Sequence, residues 1–144
     1  MSSPSSEKPL PLPCIRTRIK ICGLTREQDV DAAVAAGADA IGFVLYAPSP
    51  RAVTPQRAAE LAARLPPFVT PVLLFVNESA SNIIAASALL AGATIQFHGD
   101  ETPAECLAAT LGGARPFLRA ARIPLGDGAA RFDLVKYADD YSKA

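Results

Sequence analysis

The 144 residues are half apolar, and fourteen basic side chains balance fourteen acidic ones. That is enough chain for one buried core, and neither charge sign is gathered into a block that would hold a nucleic-acid backbone or an acidic lipid face. The longest apolar runs, such as residues 72–76, fall far short of the roughly 20 residues that span a bilayer, so a soluble protein with neither nucleic acid nor membrane as partner is expected.

Residues 1–13 are rich in Ser and Pro and lack the continuous apolar stretch of a secretion signal. They read as a disordered tail ahead of one domain at 14–144. The three cysteines, Cys14, Cys22 and Cys106, are odd in number and widely spaced, with neither a CxxC pair nor zinc-type spacing to the sole histidine, His98. Free thiols in a reducing cytoplasm follow, and Cys14 and Cys106 read as structural or incidental.

From Arg18 onward, short apolar or β-branched runs alternate with Ala-rich amphipathic stretches, the pattern of βαβ units on a parallel sheet. The first strand is expected at 15–22. A period of two sends Ile15, Thr17, Ile19 and Ile21 to one face and Lys20 and Cys22 to the other. Thr25-Arg26-Glu27-Gln28 has the form of a capping box, so a helix starts there, with Val30, Ala33 and Val34 as its stripe and Gly37 as its left-handed end. A second strand at 40–45 leads through Ser49-Pro50-Arg51 to Thr54-Pro55, N-cap and first helical residue. That helix carries Ala58, Leu61, Ala62 and Leu65 and stops at Pro66-Pro67.

The third strand is expected at 72–76, and its helix runs from a Ser81 cap through Ile83, Ile84 and Leu90 to Gly92. The fourth strand, 94–98, precedes Thr102-Pro103-Ala104-Glu105, a second capping box with Leu107 and Leu111 facing inward. A fifth strand is expected at 115–123 and a fifth helix at 132–141, packed by Phe132, Val135 and Tyr137.

The unit recurs every roughly 25 to 30 residues, the spacing of a (β/α)8 barrel of about 250 residues divided by eight. Five units fit, so an α/β fold of the TIM-barrel kind is expected, as an incomplete barrel of about five βα units. A doubly wound sheet would read similarly, but no GxGxxG follows the first strand, which argues against dinucleotide binding. Barrel active sites lie at the carboxyl ends of the strands, which makes Lys20, Cys22, Arg51, Asn77, Gln96, His98 and Arg119 the candidates. Each has a bland alternative: a strand cysteine is most often a small buried hydrophobe, a loop arginine a solvated charge, a lone histidine a hydrogen-bonded structural residue.

Lys20-Ile21-Cys22-Gly23-Leu24-Thr25, the stretch from Gly37-Ala38-Asp39 through Ile41-Gly42-Phe43-Val44 to Ser49-Pro50-Arg51, Phe75-Val76-Asn77-Glu78, and Gln96-Phe97-His98-Gly99-Asp100-Glu101 together resemble phosphoribosylanthranilate isomerase of tryptophan biosynthesis. They stand in that family's order and at about its spacing. The resemblance covers 18–105 and continues more loosely to 144. It implies an isomerase without metal or organic cofactor, catalysing the Amadori rearrangement of N-(5-phosphoribosyl)anthranilate to the carboxyphenylamino-deoxyribulose phosphate. It further implies that Cys22 is the general base and that Arg51 holds the anthranilate carboxylate. Gln96 and His98, two apart on one strand face, are implied as polar contacts in the pocket. Only a thiolate is basic enough for this role, and Lys20 is a candidate influence on it.

The family's general acid is an aspartate ending a sixth strand, and its phosphate grip lies in loops after the seventh and eighth. Asp133, Asp139 and Asp140, in or beside the expected fifth helix, do not take the acid's role. The 144 residues alone are therefore expected to be inactive and, with the first and fifth strands as open edges, to aggregate or pair with another chain. The alternatives are a non-catalytic half-barrel that binds a partner or an anthranilate-like ligand, and a different sugar-phosphate barrel enzyme. The latter would explain the fold but not Cys22 together with Arg51.

Overall fold

The computed structural model describes residues 16–142. The expected tail at 1–13, Cys14 and Ile15 lie outside the described residues. Five parallel strands, β1 (Lys20–Cys22), β2 (Ala40–Val44), β3 (Thr70–Phe75), β4 (Thr94–Phe97) and β5 (Phe117–Arg119), stand side by side in chain order. The crossovers are α1 (Glu27–Ala35), α2 (Pro55–Ala62), α3 (Ala80–Ala88) and α4 (Pro103–Ala109), and a 3-10 turn, Gly126–Arg131, leads to α5 (Leu134–Ser142). A doubly wound sheet reverses its strand order at a switch point. An order with no reversal is that of a barrel wall.

The register explains the apolar runs. Phe43 pairs with Leu73, Leu73 with Ile95, Ile95 with Phe117, and Phe75 with Phe97. These side chains face the helices and meet Val30, Leu61, Ile83, Cys106 and Ala109 in one core. Burying each large apolar side chain there stabilises the fold by roughly 1.5–3 kcal/mol. Alternate residues, Cys22, Gly42 and Val72 in one row and Val44, Leu74, Gln96 and Leu118 in the next, point to the other face. Val44, Val72, Leu74 and Gln96 are buried as well, so the middle strands are buried on both faces, as parallel strands usually are. At the sheet's two sides Ile19, Ile21 and Leu118 remain 45%, 39% and 45% exposed.

Two sequence-based caps are present. Thr54 Oγ1 accepts from the Arg57 amide at 3.1 Å, and Thr102 and Glu105 exchange both bonds of a capping box. Two others are displaced. Arg26, extended at φ −125° and ψ 146°, is the N-cap of α1, so Thr25 sits one residue too far back to reach the free amides. Its carbonyl instead accepts from Arg57 Nη2 at 3.4 Å. Ser79 rather than Ser81 caps α3, accepting from the Asn82 amide.

In α4, Cys106 and Ala109 are the buried residues, while Leu111 is 56% exposed in the left-handed region at φ 56°. The stripe therefore runs one residue away from the expected Leu107 and Leu111, where small side chains let the short helix lie close to the sheet. β1 and β5 are three residues each, shorter than expected. Of the residues expected to pack the fifth helix, Val135 is 80% exposed, while Tyr137 packs against the rings of Phe132 and Tyr141.

Candidate active site

Cys22 ends β1 on the face turned away from the helices, half-buried and as a free thiol. Gly42 is its ladder partner, and a Cβ there would lie 2.8 Å from the sulfur. The space that the thiol fills is thus the side chain that Gly42 lacks. Beyond Cys22 the chain turns at Gly23, φ 86°, whose amide donates to Gly42 O at 2.8 Å. Lys20 stands on the same strand face as Cys22, roughly 7 Å away along the strand.

Arg51 arrives from the loop between β2 and α2. Its amide donates to Ser49 Oγ at 3.2 Å, and Ala52 bridges to Val44. These bonds pin the turn and aim the side chain back across β1. There Nη1 donates to Cys22 O at 3.0 Å. Any side chain on Gly23 would strike that guanidinium, its Cβ falling 2.5 Å from Nη1. Cys22 and Arg51, 29 residues apart, are therefore neighbours. A guanidinium carries five N–H donors, and this is the one side-chain bond Arg51 makes among the described residues.

Gln96 and His98 stand at the carboxyl end of β4, on the same face as Cys22. Gln96 is buried, and its Nε2 lies 3.2 Å from His98 Nδ1. The Gln96 Oε1 is buried without a hydrogen-bond partner among the described residues. His98 is partly exposed, and its amide continues the ladder by donating to Phe75 O at 3.0 Å.

Asn77 and Arg119, also candidates by their place at strand ends, build the frame instead. Asn77, in the left-handed region at φ 51°, accepts from the Asp100 amide at 2.7 Å through Oδ1 and donates its own amide to Glu101 Oε1 at 2.7 Å. A Cβ on Gly99 would fall 2.3 Å from Asn77 Oδ1, so the loop after β4 closes on β3 only with glycine there. Arg119 pairs in register with Phe97 and so points to the helix side. It faces Glu101 at 3.3 Å, the two side chains being 9% and 4% exposed. It donates to the carbonyls of Phe97, Gly99 and Ala120 and lies 5.1 Å from the Tyr141 ring, whose hydroxyl donates to Glu101 O at 2.6 Å. Sequence reasoning missed Glu101 as a buried anion: nothing in its spacing distinguishes it from a solvated loop acid. Cys106 is fully buried, and burial pushes its thiol up to about 11, the condition of an inert cysteine.

Parallel strands in chain order, with polar side chains gathered at the carboxyl ends of β1 and β4 and in the loop after β2, define the TIM-barrel class of α/β enzyme folds. The family description N-(5'phosphoribosyl)anthranilate (PRA) isomerase matches residues 19–134, and the chain belongs to that family. The N-(5'-phosphoribosyl)anthranilate isomerase of Methylibium petroleiphilum is 59% identical over 130 residues, covering 90% of this chain and 57% of the relative. That of Dechloromonas aromatica is 58% identical over 130 residues, with 90% and 58% covered. The chain thus spans a little over half the length of these relatives. Among solved structures, a phosphoribosyl anthranilate isomerase in complex with reduced 1-(o-carboxyphenylamino)-1-deoxyribulose 5-phosphate superposes with a TM-score of 0.75 at 31% identity, covering 86% of this chain and 62% of that one. The Thermotoga maritima isomerase gives 0.74 at 32%, with 86% and 58% covered. No helix among the described residues is long and apolar enough to cross a membrane.

Proposed function

We propose that these five βα units carry the proton-abstracting and carboxylate-binding part of a phosphoribosylanthranilate isomerase site, acting in tryptophan biosynthesis in the cytoplasm. The observation that supports this most directly is the bond from Arg51 Nη1 to Cys22 O, which seats a guanidinium beside the proposed base. On this reading the anthranilate carboxylate lies on the Arg51 fork, whose planar N–H donors match two carboxylate oxygens. A general acid protonates the furanose ring oxygen, the ring C–O bond breaks, and the nitrogen lone pair forms the imine. The Cys22 thiolate then takes the proton from the adjacent sugar carbon, and the electron pair moves to give the enolamine that tautomerises to the ketone. Gln96 and His98 contribute polar contacts to the same substrate. The reaction is internal and calls for no metal or organic cofactor.

By resemblance the general acid belongs to a sixth strand, and its loss costs a factor of about 100 to 10,000. The 144 residues alone are accordingly proposed to be inactive, and to self-associate through the apolar sides of the sheet at Ile19, Ile21 and Leu118. Complementation of a tryptophan auxotroph lacking the isomerase tests this, with the chain alone and with the carboxyl-terminal part of the Methylibium relative supplied as a second chain. Rescue by the pair and not by the chain alone is expected. Failure of the pair, with both parts expressed and soluble, would favour a half-barrel without chemistry.

A further inference from the structure

We infer that the Gln96 side-chain amide holds His98 in its Nε2–H tautomer, making Gln96 a positioning residue and the imidazole a fixed N–H donor at the carboxyl end of β4. The 3.2 Å contact joins Gln96 Nε2 to His98 Nδ1, and an amide nitrogen can only donate. Nδ1 is then the acceptor, and the proton resides on Nε2.

Turning the amide over would reverse the tautomer, so its orientation decides the matter. As it stands, the buried group left without a partner is Oε1. Reversed, it would be the NH2 with both its donors, and orphaned buried N–H groups are rarer than under-satisfied carbonyls. The backbone leaves little other freedom. Gln96 is paired between Leu74 and Leu118. The His98 amide donates to Phe75 O, and its carbonyl accepts from Arg122 Nη2 at 3.1 Å. The ring moves only by its own torsions, and Gln96 is its one hydrogen-bond partner among the described residues. Glu101, the nearest buried carboxylate in sequence, is engaged by Asn77, Gly99 and Arg119 and does not compete for the ring.

The arrangement offers a ligand one fixed point, the Nε2–H donor of the partly exposed His98 for an oxygen acceptor, while Gln96 Oε1 stays buried. Such a donor suits an oxygen of a hydroxylated sugar derivative, a consequence that rests on the isomerase reading. The tautomer itself does not.

His98 is the only histidine in the chain, so long-range 1H–15N correlation of the 15N-labelled 144-residue protein reads its ring without ambiguity. At about pH 8, above the ordinary histidine range, the wild type should show one pattern, with Nδ1 bare and Nε2 protonated. Gln96→Glu replaces the donor by a carboxylate and should move the proton to Nδ1. Gln96→Met, close in volume and apolar, should let the Nδ1–H form appear beside the other while the backbone amide spectrum stays native. A protonated Nδ1 in the wild type overturns the inference, and so does a ring pattern that neither substitution changes. Complementation plays no part in this readout, so the tautomer and the isomerase reading fail separately.

Discussion

Arg119→Met should destabilise the fold far more than a surface arginine would. The guanidinium and the Glu101 carboxylate are 9% and 4% exposed and 3.3 Å apart. Deleting the cation leaves a buried carboxylate that keeps two backbone donors, the amides of Asn77 and Gly99, but no counter-charge. Removing one partner of a buried pair costs about 3–5 kcal/mol. The surviving amides hold the cost toward the lower end, while contact with the Tyr141 and Tyr137 rings adds roughly 0.5–1 kcal/mol each. A loss of about 4 kcal/mol is therefore expected. Glu101→Gln should cost less, about 1–2 kcal/mol, because the cation retains the carbonyls of Phe97, Gly99 and Ala120. Urea unfolding followed by far-ultraviolet circular dichroism measures both, read from the midpoint at unchanged slope. In the double variant the losses should fall short of their sum by about 1 kcal/mol or more. An Arg119→Met loss below about 1 kcal/mol, against the 3–5 expected of a broken buried pair, or strict additivity, would refute the picture of a desolvated pair clamping the ends of β4 and β5.

Gly42→Ala places a methyl 2.8 Å from the Cys22 sulfur. Since carbon contacts settle near 3.5–4.0 Å, the thiol must move by about 1 Å, and a shift of that size costs on the order of 100-fold in kcat/KM. The two-chain enzyme is the system for that measurement, and unimpaired turnover would contradict the proposed base. Arg51→Met should raise KM about 10- to 100-fold, from roughly 1.5–3 kcal/mol of charged hydrogen bonding lost to the carboxylate, with kcat less affected. Cys106 supplies a pH effect. Its thiol is raised from 9.0 to about 11 by burial, so between those values the folded state binds the proton that the unfolded chain releases. Stability is then intact below about pH 9 and falls as pH climbs toward 11, by at most about 2–3 kcal/mol. Cys106→Ala should flatten that decline in alkaline urea titrations, and an unaltered slope would show that other groups cause it.

Much of this fold was legible because parallel strands buried on both faces leave continuous apolar runs, and Pro and Gly punctuate the helices between them. Thr54-Pro55 and Thr102-Pro103 marked helix starts correctly because proline at the first helical position leaves the preceding threonine little choice of role. The displaced caps lacked that constraint: Thr25 and Ser81 each have another residue, Arg26 and Ser79, that takes the N-cap. Of the site, the shared face of Lys20 and Cys22 followed from period two alone. The approach of Arg51 did not, since it depends on how the turn at Ser49 aims the side chain back across β1. Arg119 was misassigned for a related reason. Strand phase decides whether an end residue meets the site or the helices, and in a three-residue strand that phase is set by pairing with β4 rather than by local pattern.

The glycines in the family motifs sharpen the reading of their neighbours. Gly23 carries no side chain where Arg51 crosses, Gly42 none where the Cys22 sulfur sits, and Gly99 none where Asn77 closes the loop after β4. Each vacancy is filled by one named side chain arriving from another unit, so the motifs depend on each other through contacts that none of them contains. Cys22 is half-buried against Gly42 and Arg51 is exposed above Gly23, so packing fixes where the two side chains lie, while the roles proposed for them rest on the family resemblance. The partners of Asn77 and Glu101, in contrast, account for both as parts of the frame that closes the loop after β4.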